Sequence, residues 1–286
     1  MKISTEIGSI AEVVGEHKAV ELCGKAGFDG WDLSMFKMCR YDWRTDICHA
    51  TDHPLSGPNY LRFVRELKQI GLDNGIVCNQ SHAPFPVMTS KIYPYLQRAI
   101  ECTAEVGGQI CVIHPDNHST PERNAEIYHD LLPFAKACGV KIATENMWNW
   151  HEGDEYSSFA ACATADSFCR HLDAVNDDYL VACLDLGHAE MRGSGDGAVK
   201  MIHALGSRLQ ALHICDNDRH HDSHQLPFTM DIDFDAVVKA LKEIGYSHWL
   251  TLEAANHIKK YDASNALEGV RSMAEAAGRM AKMFEE

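Results

Sequence analysis

One pattern recurs along the whole chain: a short apolar run, then a longer amphipathic stretch closed by glycine. Eight such runs stand at "KISTEI" (2–7), "FDGWDLS" (28–34), "IVCNQSH" (76–82), "ICVIHP" (110–115), "KIATEN" (141–146), "VACLDLGH" (181–188), "LQALHI" (209–214) and "WLTLEA" (249–254). Between them apolar residues return at helical spacing, as Leu61, Val64, Leu67 and Ile70 do in "NYLRFVRELKQIG". "KAGF", "EVGG", "KACGV" and "KEIGY" each put glycine where a helix stops and a strand follows. Nearly continuous apolar strands alternating with helices belong to a parallel sheet covered on both faces. Eight βα units in 286 residues predict an α/β fold, a (β/α)8 TIM barrel, as one domain over residues 1–286. A doubly wound open sheet is disfavoured, because no glycine-rich phosphate loop follows the first run.

The final segment, "NALEGVRSMAEAAGRMAKMF", carries Leu267, Val270, Met273, Ala277, Met280 and Phe284 on one stripe. It reads as the eighth barrel helix, with a homo-oligomer contact as the alternative. The 11 cysteines include no CxxC pair, and Cys78, Cys111, Cys183 and Cys215 fall inside apolar runs. They read as reduced core thiols. With no signal-like or membrane-length apolar stretch, the expectation is a cytoplasmic protein without a membrane partner. A formal net charge of -15 argues against nucleic acid as partner.

In a barrel of this kind the chemistry lies at the C-terminal ends of the strands. Those ends are polar here. The third run ends in His82, the fourth in His114 and the fifth in Glu145. The sixth carries Asp185 and His188, the seventh ends in His213, and the eighth in Glu253. Core packing does not account for this set, since acidic side chains are rarely buried without a partner or a metal. The stretch "HICDNDRHHDSHQ" (213–225) adds Asp222 and His224 beside the same ring, while His220 and His221 read as solvated loop residues. The strand-end residues are therefore candidate ligands of a metal centre.

The ordered motifs "SHAPF", "IHP", "ATEN", "LDLGH", "LHICDND", "DSH" followed by "DIDF", and "LTLEA" resemble those of the xylose isomerase-like TIM-barrel superfamily. That superfamily holds the sugar phosphate isomerases and epimerases and the family 2 AP endonucleases. The resemblance covers essentially the whole chain. It implies metal ligands at Glu145, Asp185, His213 and Glu253, with Glu145 and Glu253 also moving protons. It implies substrate contacts at His188 and Arg219, and we expect His82, His114 and Trp148 to line the same site. His82, His114, His188, Asp222 and His224 also match the fuller ligand pattern of endonuclease IV, and so are candidates for an additional metal. One departure is the segment "NMWNWHE", which sets Glu152 a step beyond the acid of the ketose 3-epimerases.

The expected function is a metal-dependent isomerase or epimerase acting on a sugar or related polyol. It would abstract a proton next to a carbonyl, through a metal-stabilised enediolate. An oxygen-rich ligand set favours Mn²⁺ or Mg²⁺, with Zn²⁺ as the alternative if more histidines join. A dehydratase or lyase would use the same proton abstraction. An endonuclease IV-like phosphodiesterase and a non-enzymatic barrel are the remaining readings. Trp31, Trp148 and Trp150 suit a carbohydrate pocket or simply pack the rim, and residues 35–56 are long enough for a lid.

Overall fold

The structure, a computed structural model, describes residues 1–285. Each of the apolar runs forms a strand. In chain order the strands are β1 (Ile3–Glu6), β2 (Gly30–Ser34), β3 (Cys39–Asp42), β4 (Ile47–Ala50), β5 (Val77–His82), β6 (Ile110–Val112), β7 (Lys141–Glu145), β8 (Leu180–Asp185), β9 (Leu209–His213) and β10 (Leu250–Leu252). Eight of them form one sheet in the order β10-β1-β2-β5-β6-β7-β8-β9, every pairing parallel. The ring closes just beyond β9, where Ile214 bridges Leu252. There the Ile214 N–H donates to the Thr251 carbonyl and the Glu253 N–H to the Ile214 carbonyl, both at 2.9 Å. The fold is a (β/α)8 barrel.

Helices wrap the outside, and their ends follow the glycine pattern. Gly27 and Gly107 close the helices Glu16–Ala26 and Tyr93–Val106 in the left-handed region, at φ of 100° and 95°. The helix Ala266–Met283 packs Val270, Met273, Ala277 and Met280 against β1 and the helix Glu16–Ala26. Its apolar stripe is thus covered by its own barrel. Among the described residues, no helix is long and apolar enough to cross a membrane.

Strand side chains alternate between faces, and here the two faces differ in kind. Outward residues such as Trp31, Leu33, Ile142, Leu184, Leu212 and Leu252 join the large core under the helices. Inward residues form a small core of their own: Ile110, Val112, Ala143, Val181, Cys183 and Ala211. The other half of the lumen is polar and internally paired. Ser4 Oγ and Thr251 Oγ1 lie 2.8 Å apart, and Asn79 Nδ2 donates to Thr251 Oγ1 at 3.1 Å. Continuing the alternation one step towards the mouth brings His114, Glu145, Asp185, His213 and Glu253 to the inside. The period of two that packs the lumen thus also aims the site.

Two expectations about the rim change. Trp31 is fully buried in the outer core, with Gly71 of the helix Tyr60–Asp73 against its indole, so it packs the barrel and takes no part in a pocket. Residues 35–56 are also more built than a free lid. Met35, Met38, Cys39 and Leu55 are buried and hold the segment down. Between these anchors β3 and β4 pair as an antiparallel hairpin whose tip lifts Trp43 to 68% exposure.

Gly30 tests the tightness of this barrel. A methyl group added there would lie 2.7 Å from both the Val77 carbonyl oxygen and the Trp249 ring. Backbone on one side and a large ring on the other leave little room to yield. Gly30→Ala should destabilise the fold by about 1–3 kcal/mol, the usual cost of overpacking, read from denaturant unfolding. An unchanged unfolding midpoint would contradict this packing.

Candidate metal centre at the barrel mouth

The strand-end side chains converge into three neighbouring groups. At the centre, His213 Nδ1 lies 3.0 Å from Glu145 Oε1 and 3.4 Å from Glu253 Oε2. Asp185 is the register partner of His213 on the adjacent strand. Its Oδ1 accepts the His188 N–H at 2.7 Å, capping the short helix Leu186–Glu190, and its Oδ2 is left without a partner. To one side, His82 Nε2 and His114 Nε2 approach to 2.6 Å, with Glu145 Oε2 at 3.6 and 3.3 Å from them. To the other side, His188 Nε2 and His224 Nε2 both face Asp222 Oδ2, at 3.4 and 3.1 Å.

Ring orientations in this last group are set from behind. His188 Nδ1 donates to the Asn146 carbonyl and His224 Nδ1 to the Glu253 carbonyl, each at 2.8 Å. Each imidazole therefore turns its Nε2 towards Asp222 and the centre, the nitrogen that would be free to bind a metal once its proton is displaced. His213 is turned the other way. Its Nδ1 faces the carboxylates, and its Nε2 lies 3.5 Å from Asp32 Oδ2, which Gln80 Nε2 steadies at 3.0 Å.

The loop after β9 is a framed structure. Asp216, fully buried, accepts the backbone N–H groups of Asn217, Thr229, Met230 and Ile232 on its two oxygens. It thereby closes the loop that carries Asp222 and His224. Asp218 caps the N–H groups of His220 and His221, which stay outside the site.

Burial makes this gathering electrostatically costly. Desolvation raises Asp185, and desolvation together with Glu145 and Asp185 pushes Glu253 up to about 8. Burial would raise Glu145 too, but the His213 and His114 side chains outweigh it and hold this carboxyl well below its ordinary range. Burial and the neighbouring His114 depress His82, whereas Asp185 and Asp222 override burial at His188 and raise it to about 10. One oxygen on each of Glu145, Asp185, Asp222 and Glu253 is buried without a hydrogen bond. Acidic oxygens crowded together and unpartnered are the donor set a divalent cation needs. Ligands sharing one ion at about 2.0–2.5 Å stand roughly 3–4 Å apart, and Glu145 and Glu253 each stand at such a distance from His213 Nδ1.

Above this floor opens a cavity of about 500 Å³, bordered by His82, His114, Glu145, Trp148, His188, Asp222, His224 and Glu253. Asp185 and His213 lie fully buried. Arg219, expected to hold substrate oxygens, is not among the residues bordering the cavity. It turns towards Glu190, with Nε 3.6 Å from Oε2. Trp150 is 40% exposed and meets the His220 ring instead. Glu6, Asp32 and Asn146 are among the buried polar residues that escaped the sequence reading. Glu6 ends β1, and its register partner Asp32 lies in the middle of β2. The strand-end rule applied to the first run points to Glu6 and not to Asp32. Asn146 holds the Asp185 backbone at both N–H and carbonyl, at 2.8 and 2.9 Å. Only its place after Glu145 hinted at that.

Comparison with known proteins agrees with this fold. A family described as xylose isomerase-like TIM barrel matches residues 20–276. The uncharacterized protein MJ1311 of Methanocaldococcus jannaschii is 24% identical over 256 residues, covering 83% of this chain and 78% of that protein. Among solved structures, a D-psicose 3-epimerase in the presence of D-fructose superposes with a TM-score of 0.73 over 100% of both chains, at 15% identity. An IOLI protein with a binding zinc atom gives 0.73 over 99% of each, at 18% identity.

A cation that binds only the folded protein must stabilise it. Chelator-treated protein should melt higher when Mn²⁺, Mg²⁺ or Zn²⁺ is added, by about 2.7 kcal/mol for the best metal at a hundredfold excess over its Kd. Asp185→Asn should lose most of that gain. Asp32→Asn should weaken metal affinity by about 10- to 100-fold in titration calorimetry, because it frees the His213 ring. A melting temperature indifferent to all three metals would count against the site.

Proposed function

This chain belongs to the xylose isomerase-like TIM-barrel family, and from that premise we propose that it is a metal-dependent isomerase or epimerase of a sugar or related polyol. The observation that carries the proposal is the meeting of Glu145 and Glu253 on one side of His213, from strands that β8 and β9 separate. Two carboxylates reaching one point from different directions can take a proton from one face of a carbon and return it to another. Glu145, Asp185, His213 and Glu253 would hold the metal. A divalent cation there would polarise the substrate carbonyl and offset the charge that grows on its oxygen.

The chain's own residues divide the remaining work. Glu145 and Glu253, the two carboxylates that face His213 Nδ1, are placed to move the protons, one taking a proton from the substrate carbon and the other returning it. His188, Asp222 and His224 form a polar wall for substrate hydroxyls, and Trp148 offers a ring face beside His188, 6.4 Å between centroids. Asn146 keeps Asp185 and His188 in register with each other. The oxygen-rich centre suits Mn²⁺ or Mg²⁺, while the flanking histidine pairs suit Zn²⁺ as additional metals. Neighbours of similar fold whose names give them as 3-epimerases lend support to the epimerase form of the reading.

The three ligand groups also favour a second reading, a phosphodiesterase of the endonuclease IV kind. Charge weighs against it. Among the described residues bordering the cavity there is no lysine or arginine to meet a phosphate backbone. A dehydratase would share the first proton transfer and would be recognised by its product.

Solvent exchange tests the proposal. Wild-type protein with its metal, incubated with a panel of ketoses in deuterium oxide, should place deuterium on the carbon beside the carbonyl of a converted sugar. Glu253→Gln keeps the shape and removes one of the two proton-transfer carboxylates, so turnover per bound metal should fall by about 10² or more, with metal content measured alongside because Glu253 is also a proposed ligand. Full metal occupancy and undiminished turnover in that variant would rule out the two-glutamate mechanism.

A further inference from the structure

The cavity has two unlike walls. His188, Asp222 and His224 make one of them polar. Opposite stand residues that follow β2 and β5, and they are apolar. Phe36 lies edge-on to His82, 4.7 Å between centroids, and Phe85 stacks on His114 at 5.2 Å and 24°. The two phenylalanines touch each other at 5.1 Å. Val87 and Met88 extend this wall, Trp43 borders the same cavity from the hairpin tip, and Met147, after β7, adds a further apolar side chain to the lining. Apolar side chains therefore begin directly above the imidazoles of the floor.

These side chains stand in water. Phe36, Trp43, Phe85 and Met88 are 37%, 68%, 48% and 45% exposed, and all four border this one cavity. Exposed apolar surface gathered at one concave place marks a binding site. A bare sugar is a poor match for it. Sugars carry a hydroxyl on almost every carbon, and each hydroxyl stripped of water needs a partner. Neither the phenylalanine rings nor Val87, Met88 and Met147 can provide one. A phosphorylated sugar fits no better. Asp116, Glu145, Asp222 and Glu253 border the cavity, and no lysine or arginine does among its described residues, so a phosphate lying against the apolar wall would meet no lysine or arginine there. Two of the polar side chains on that side are already occupied, and the His118 ring stays exposed. Asp116 accepts the His118 N–H at 3.1 Å, and Asn117 Nδ2 donates to the Trp148 carbonyl at 3.3 Å.

We infer that the substrate is an uncharged molecule in two parts: a hydroxy-carbonyl head that meets the acidic floor, and an apolar tail of aromatic size that lies against Phe36, Trp43, Phe85 and Met88. The inference rests on the reading of the floor given above and names the substrate class for that same site. The head supplies the oxygens that His188, Asp222 and His224 can match. The tail covers the rings that otherwise face water.

Matched ligands test this. Mn²⁺-loaded protein is titrated by calorimetry with D-fructose, with D-fructose benzylated singly at O4, O5 or O6, with its 6-O-glucosyl derivative and with its 6-phosphate. The best benzyl ether should bind about tenfold tighter than D-fructose or more, while the glucosyl and phosphoryl forms gain nothing. In Trp43→Ser/Met88→Ser, two exposed positions whose change leaves the core intact, the ratio of benzyl ether to parent affinity should collapse towards one. The proposal is overturned if no benzyl ether gains, if the phosphate or glucosyl form gains more, or if the ratio survives the double substitution. Repeating the titrations after chelation separates the two readings. Metal-dependent binding of D-fructose without a benzyl gain sinks the apolar tail alone. A benzyl gain without metal dependence sinks the metal floor alone.

Discussion

Carboxylates drawn out of water onto one small floor repel each other, and much of the mouth of this barrel is arranged around that repulsion. Glu145, Asp185, Asp222 and Glu253 each keep a buried oxygen without a hydrogen bond. Neighbouring imidazoles offset part of the charge and hold Glu145 down, while Asp185 and Asp222 raise His188. The imidazoles do not offset all of it, since Glu253 is left holding a proton to about 8. A divalent cation would resolve the conflict in one step, drawing the acids down and satisfying their free oxygens together. The supports behind the floor fit that role. Asn146 clamps the Asp185 backbone, Asp32 stands behind His213, and two carbonyls turn His188 and His224 inward.

The fold was legible in the sequence because a parallel barrel writes itself as runs of apolar residues with glycine between them. The place of the candidate site was legible because those runs stop abruptly in ligand-type residues. Where the reading fell short, the reasons are local. In "FDGWDLS" an aspartate sits beside a tryptophan, and a run read as a block hides that they point to opposite faces. Trp31 goes outward into the core and Asp32 inward to His213. Glu6 ends so short a run that it reads as the start of the next helix. Arg219 follows His213 at the spacing the resemblance implies, yet its φ of 60° takes the chain through a tight turn and the side chain leaves towards Glu190. Spacing along a loop does not determine direction.

The two halves of the barrel mouth carry different chemistry, and the chain's topology explains the division. Loops after β7, β8, β9 and β10 bring acids and histidines with backbone braces. The segments after β2 and β5 bring Phe36, the hairpin and the Phe85–Met88 stretch, rich in rings and thioether. A substrate lying across the mouth would meet both halves at once. Selectivity and proton transfer are therefore divided between opposite sides of one ring of strands, which lets the rim vary while the floor stays as it is.

The central claim is that the crowded strand-end acids share a cation. Anomalous diffraction from crystals grown with Mn²⁺ tests it most directly. The account predicts a peak within about 2–2.5 Å of ligand atoms from Glu145, Asp185, His213 and Glu253 together. Crystals that show these four side chains hydrogen-bonded among themselves, with no anomalous peak between them at saturating metal, would contradict it.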